Sequence, residues 1–176
     1  KIEDFINENV TIFNGIKGTH ESFNLLDNLL NQQIYRLSQW SVATEEINYR
    51  RFFDINDLAA IRMENPFVFK ETHKLIFNLI REGKVTGLRV DHPDGLYNPS
   101  EYFQRLQKNC FLYQRLGLPG YVTESSDKEA EILKQYHELL STEPQMKAFY
   151  IIGEKIFIKG EKMPEDWPIF GTTGYV

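Results

Sequence analysis

Two carboxylates in this chain stand where carbohydrate chemistry could be done. Asp91 follows Gly87-Leu88-Arg89-Val90, and Glu154 follows Ile151-Ile152-Gly153, so each ends a short apolar run. Such runs suit strands of a parallel sheet covered on both faces. The carboxyl ends of parallel strands are where ligands bind and catalytic groups sit. A pair of carboxylates facing one cleft is the minimum equipment for glycoside hydrolysis or transfer: one stays ionised to attack the anomeric carbon, the other holds a proton for the departing oxygen. Arg89 lies two residues before Asp91, so on a strand both point the same way, and the guanidinium can orient the carboxylate by charge-assisted hydrogen bonds. Glu154 follows a glycine and a bulky aliphatic run, a drier setting that favours the acid form. Acidic residues also end strands simply because the chain is reaching solvent, and position alone leaves that reading open.

The elements that must position these groups are punctuated clearly. Ser22 to Gln33 sets Phe23, Leu26 and Leu30 on one helical face. Asn65-Pro66 is a helix start that leads through Val68, Thr72, Leu75, Ile76 and Leu79 to a stop at Glu82-Gly83. Asn98-Pro99-Ser100-Glu101 starts another helix, expected to reach about Arg115, and Ser126-Asp127-Lys128-Glu129 repeats the capping pattern before Ile132, Leu133, Tyr136 and Leu140. Strand character lies between them, at Ile34 to Val42, Val85 to Val90 and Phe149 to Ile152. Alternating strands and helices predict an α/β fold of βαβ units. The alternation alone does not separate a closed barrel from an open sheet.

Composition excludes several other roles. With 176 residues, 41% hydrophobic and 26% charged, the chain is long enough for one domain with a sizeable core. A net charge of −5 with scattered Lys and Arg recruits neither nucleic acid nor an anionic membrane. No apolar run is long enough to span a bilayer and no signal peptide opens the sequence, so a cytoplasmic setting is expected. Cys110 is the single cysteine and reads as a small core filler beside Phe111 and Leu112. The four histidines have no partner at metal-ligand spacing. The chain starts at Lys1 and stops at Val176 without a closing element, and is expected to be a segment of a longer protein.

The wording around the carboxylates is more specific than their spacing. Gly87-Leu88-Arg89-Val90-Asp91-His92 resembles the fourth-strand motif of the α-amylase-type glycosidase superfamily, and Glu154 then matches the fifth-strand acid/base. The strings from Glu46 to Pro66, from Gly87 to Leu106, and from Gly153 to Tyr175 resemble those of the maltooligosyl trehalose synthases, and the similarity runs from about Phe13 to the end. The resemblance implies conversion of the reducing-end α-1,4 linkage of a maltooligosaccharide into an α,α-1,1 linkage by retaining intramolecular transglycosylation. Asp91 would be the nucleophile, Glu154 the acid/base and Arg89 the residue that orients Asp91. No metal or organic cofactor is implied. His92 and Asp94 would contact sugar hydroxyls, although Asp94 could equally start the turn at Gly95. Tyr49, Arg50, Arg51, Phe52 and Asp54 would form a sugar-facing loop, or else a loop held by its own ion pairs. Lys155 and Trp167 would line the reducing-end subsites, with a packing anchor as the other reading of Trp167.

The resemblance is incomplete. It implies a third carboxylate late in the barrel and a histidine-bearing motif early in it, and neither is in this sequence. A whole barrel takes about 250 residues, so the expected fold is a partial (β/α)8 TIM barrel of about strands three to five, as one unit over residues 1–176. Residues 108–145 would be a helical insertion within it. Isolated, such a piece would have little activity, and its uncovered strand edges would favour pairing between chains. A hydrolase of the same superfamily and a non-catalytic glucan-binding module are the alternatives.

Overall fold

The computed structural model of the chain describes residues 1–117 and 126–174. It divides into two compact units, Lys1–Tyr49 and Arg50–Val176. The first carries helix α1 (Ile2–Asn9), helix α2 (Asn24–Asn31), the short helix α3 (Ala43–Glu46) and three 3-10 turns. The helix expected over Ser22 to Gln33 is shorter and starts with a 3-10 turn at His20–Phe23. The Ser22 hydroxyl causes that turn, accepting from the Ile16 amide at 2.7 Å and donating to the Thr19 carbonyl at 2.6 Å. Neither α1 nor α2 buries a residue.

The third strand expected at Ile34 to Val42 is absent. Those residues form bends and a 3-10 turn at Trp40–Val42, with Ile34 and Trp40 fully or largely exposed. Strand-forming side chains do not make a strand without a partner for the backbone N–H and C=O groups, and the first unit supplies none among its described residues.

The second unit contains helix α4 (Pro66–Arg81), strand β1 (Gly87–Val90), helix α5 (Pro99–Leu116), helix α6 (Ser126–Thr142), strand β2 (Tyr150–Gly153) and strand β3 (Gly171–Thr172). The strands form one parallel sheet in the order β1-β2-β3. Two of the expected strands are present: the run Val85 to Val90 as the shorter β1, and the run Phe149 to Ile152 as β2, shifted by one residue. β3, two residues long, carries no apolar run that would reveal it in the sequence. The result is a mixed helix and sheet unit with three parallel strands, which does not establish the partial barrel.

Both proline-led helix starts form as expected. Asn65 Oδ1 accepts the amides of Phe67 (2.9 Å) and Val68 (3.3 Å), and Asn98 Oδ1 accepts that of Glu101 (3.1 Å). Proline sits at the first position of each helix, where its missing N–H costs nothing. Gly83, at φ 69°, ends α4 in a left-handed conformation. Ser126, expected as a cap, is itself helical in α6, which adjoins residues outside the described ones.

α4 and α5 pack side by side on one face of the sheet. Phe69, Phe77 and Ile80 of α4 meet Phe103, Leu106 and Cys110 of α5 above Ile151 of β2, together with Phe149, Trp167 and Ile169. The expected two-sided burial fails: Tyr150 and Arg89 project to solvent. Three strands cannot curl far enough to cover their own second face. Over the expected insertion, α5 and α6 make a separate apolar cluster from Phe111, Leu112, Leu116, Ile132 and Tyr136; residues 118–125 of that stretch lie outside the described residues.

Two buried polar residues tie this core together. Gln107 is fully buried; its Nε2 donates to the carbonyls of Phe149 (3.0 Å) and Pro168 (2.7 Å), and its Oε1 accepts the Phe149 amide (2.8 Å). It thus fastens α5 to the start of β2 and to the segment leading into β3. His73 lies face to face with Phe69, ring centres 4.1 Å apart. A carbonyl oxygen can only accept, so His73 Nδ1 donates to Phe69 O at 2.8 Å and Nε2 accepts from the Tyr102 hydroxyl at 2.9 Å. Burial lowers the His73 pKa against a smaller upward pull from the Phe69 carbonyl, and burial pushes Tyr102 up to about 12. The Cys110 thiol is likewise raised to about 12 by burial, which makes it inert as a nucleophile.

Gln107→Leu keeps the volume and removes the partner of two buried backbone groups and one partly buried one. Urea unfolding is expected to show a loss of roughly 2–5 kcal/mol; a change below about 0.5 kcal/mol would remove Gln107 from this role. His73 is depressed in the folded state relative to its ordinary value of 6.5. Its contribution is therefore complete above that pH and is lost as pH falls towards the folded-state pKa. Unfolding midpoints measured from pH 8 to pH 5 should decline more steeply in the parent chain than in His73→Gln.

Candidate active site

The site is built from the ends of β1 and β2 upward. The parallel register pairs Val90 with Gly153, and the Glu154 amide donates to the Val90 carbonyl at 2.7 Å, carrying the ladder one step past the strands. Asp91 and Glu154 therefore leave adjacent strands at the same level. Neighbouring strands are about 4.8 Å apart. Gly153 can stand here because it is small: a Cβ on it would lie 3.2 Å from Ile169 Cδ1 and 3.4 Å from Phe103 Cζ.

Arg89 does what its spacing predicts. Its Nη1 donates to Asp91 Oδ1 at 2.8 Å, and its Nε donates to the Thr173 hydroxyl at 3.0 Å. Thr173 is placed for this by its own amide, which donates to the Gly153 carbonyl at 2.8 Å. Asp91 is exposed, whereas Glu154 is half-buried. Glu154 Oε2 accepts the His92 amide at 3.1 Å. One oxygen is thus held by a donor, and a proton on this carboxyl would reside on Oε1.

His92 adopts a left-handed backbone conformation, φ 46° and ψ 53°, which turns its amide towards Glu154 and its ring towards an aromatic pair. Phe53 lies 4.3 Å and Phe52 5.3 Å from the His92 ring, centre to centre. Gly95 makes room for that ring, since a Cβ there would lie 2.7 Å from His92 Cδ2.

The remaining expected residues separate into groups. Phe52 meets the His92 ring. Arg50 donates to the Gly95 carbonyl at 3.2 Å and so joins the loop to the turn after β1. Arg51 bonds within its own loop, to Asn56 Oδ1 (2.7 Å) and Asp54 (3.3 Å), the arrangement of a loop held by its own ion pairs. Tyr49 belongs to the first unit. Trp167 is buried in the core, ring centre 5.1 Å from that of Phe103, so packing occupies its surface. Lys155 is 7% exposed, and its ammonium is taken up by Asp94 (3.1 and 3.2 Å) and Glu161 (2.7 Å). Burial works to lower its pKa, but the hydrogen bonds and charges of Glu161 and Asp94 outweigh it, and the pKa lies above its ordinary value.

Phe53, Thr173 and Glu161 were not singled out in the sequence. Phe53 is adjacent to Phe52 but needs its positive φ of 51° to reach His92. Thr173 lies in a string that carries the family resemblance, yet only the β2–β3 pairing shows that it meets Arg89. No sequence signal marks Glu161.

The Arg89–Asp91 pair is about half exposed on both sides, and exposed pairs contribute little to stability. Arg89→Met should therefore change the unfolding free energy by less than about 1 kcal/mol. A several-fold larger loss in urea unfolding would mean that the pair holds the fold rather than the carboxylate.

No family model matches the chain. It is 32% identical over 145 residues to a Mycobacterium tuberculosis protein assigned as a maltooligosyl trehalose synthase, an alignment covering 82% of this chain and 14% of that protein. The solved maltooligosyltrehalose synthase of Arthrobacter ramosus matches at 37% identity and a TM-score of 0.53, over 90% of this chain and 16% of that one. A solved hypothetical maltooligosyl trehalose synthase of Sulfolobus tokodaii matches at 32% identity and a TM-score of 0.51, over 86% and 15%. The chain spans about one seventh of the curated relatives it matches. Over most of its length, this chain is homologous to one stretch of the maltooligosyl trehalose synthases, the family its sequence strings resemble.

Proposed function

We propose that this chain supplies the nucleophile and the acid/base of a longer enzyme that isomerises the reducing end of maltooligosaccharides. Asp91 attacks the anomeric carbon beside the terminal α-1,4 linkage, the bond to O4 breaks, and Glu154 delivers its proton to O4. The freed glucose turns in the site. Its anomeric hydroxyl then attacks the glycosyl–Asp91 ester, Glu154 takes back the proton, and the Asp91 carboxylate is released as the α,α-1,1 linkage forms. Two displacements retain the anomeric configuration.

The observation that carries this reading is the shared level of Asp91 and Glu154 past a paired parallel register, with Arg89 bonded to Asp91. A strand spacing of about 4.8 Å suits the roughly 5–5.5 Å separation of carboxyl groups in retaining glycosidases. Inverting enzymes need room for a water between them. His92, with Phe52 and Phe53, offers an aromatic wall to a sugar face. The third carboxylate and the remaining barrel would come from outside this chain, within a cytoplasmic enzyme.

The test is product analysis with maltopentaose in the intact protein that carries this chain. The expected product has the mass of the substrate and no reducing end. Asp91→Asn and Glu154→Gln should each cost roughly a thousandfold or more in turnover. Glucose plus maltotetraose as the main products would replace the synthase reading with hydrolysis. Ordinary turnover by residues 1–176 alone would show that no outside carboxylate is needed.

A further inference from the structure

Lys155 has the chemistry of a sugar-binding cation but not the setting of one. It follows Glu154 directly and is among the few charged side chains buried in the second unit. Its Nζ meets both oxygens of Asp94 at 3.1 and 3.2 Å and Glu161 Oε1 at 2.7 Å, three contacts for an ammonium with three protons. Glu161 is itself held, because its Oε2 accepts the Ile158 amide at 3.1 Å. The ammonium is thus engaged by two carboxylates of its own chain.

The position of the partners shows what these contacts do. Asp94 lies in the 3-10 turn Pro93–Gly95, three residues after Asp91. The residue beside Lys155, just past the end of β2, holds the same turn region by a second bond, since Glu154 accepts the His92 amide. Glu154 and Lys155, consecutive in sequence, thus grip residues 92 and 94 by two bonds of opposite direction: a carboxylate accepting from a backbone amide and an ammonium donating to a carboxylate. With the Arg50 bond to the Gly95 carbonyl, they hold the turn region at residues 92, 94 and 95. Glu161 completes the clamp by bringing the loop after β2 onto the same ammonium. A buried cation is costly unless paired, so this arrangement has a strong preference for one geometry.

We propose that Lys155 is a positioning residue, which sets the turn that follows Asp91 against Glu154 through its bonds to Asp94 and Glu161 and does not contact the sugar. The proposal rests on the assignment of Asp91 and Glu154 as the reacting pair. It predicts a loss of rate rather than of affinity, because misplacement of reacting groups by about 1 Å costs of the order of 100-fold.

The experiment uses the intact protein that carries this chain, with total maltopentaose turnover as the readout, whichever product forms. Lys155→Met should lower kcat roughly 10- to 100-fold with KM within about twofold, and should speed hydrogen exchange at the His92 amide. In an Asp94→Asn background, the same substitution should cost less than about threefold more, because the two residues act as one unit. Should Lys155→Met not fold, Asp94→Asn alone carries the test, with the same fall in kcat, unchanged KM and faster His92 exchange. A rise in KM with kcat preserved would show that Lys155 or Asp94 binds the sugar, and would overturn the proposal. So would a full Lys155→Met effect in the Asp94→Asn background, or His92 exchange that does not change. Hydrolysis in place of isomerisation would revise the reaction and leave the Lys155 result standing; absence of any glucan turnover by the parent protein would remove both readings.

Discussion

The candidate site depends on one backbone constraint, the parallel register of β1 and β2. Val90 faces Gly153, and the Glu154 amide closes on the Val90 carbonyl. Shifted by one residue, the pairing would bring Asp91 level with a different residue and would reverse the face of every side chain on one strand. With the register as it is, two acidic residues 63 positions apart in the chain leave the sheet together. Gly153 permits this because Ile169, Phe103 and Pro93 crowd the space a side chain would need.

The register is held from behind by packing, and the carboxylate it delivers is oriented from in front by charge. Behind, Gln107 satisfies both backbone groups of Phe149, the residue that enters β2, and the carbonyl of Pro168 on the way to β3. Apolar contact alone would let β2 slide along α5; three directional bonds from a buried amide do not. In front, Arg89 spans Asp91 and Thr173, so the guanidinium connects the outer strands across the end of β2. The Lys155 cluster then fixes the turn that follows Asp91. Aliphatic and aromatic burial keeps the unit folded, and a few polar side chains select which of its similar packings is adopted.

Much of the local structure was legible in the sequence, and the reason is local chemistry. Asn65-Pro66 and Asn98-Pro99 announce their helices because an amide side chain and a proline solve the same end problem wherever they occur. The β1 and β2 runs were legible because apolar residues accumulate where a strand is covered. Ile34 to Val42 shows the opposite: its composition suits a strand, but a strand is a property of two segments, and none of the described residues pairs with this one. β3 failed to show for the complementary reason. Its two residues join the sheet because β2 offers a free edge, not because Gly171 and Thr172 favour extension.

The sequence by itself determined the identities that carry chemistry: two carboxylates ending apolar runs, an arginine at strand spacing from one of them, and strings that resemble a single family. These are properties of neighbouring residues and survive any arrangement of the rest. Only the tertiary structure decided which charges are available to a ligand. Trp167 became a core residue and Arg51 a loop brace because the surfaces of both are occupied by neighbours distant in space or curled back in the loop. Lys155 became a clamp because Asp94 and Glu161, 61 residues before it and six after it, converge on one ammonium. Electrostatic partnership falls off within a few ångströms, and distances of that order are set by folding rather than by position along the chain.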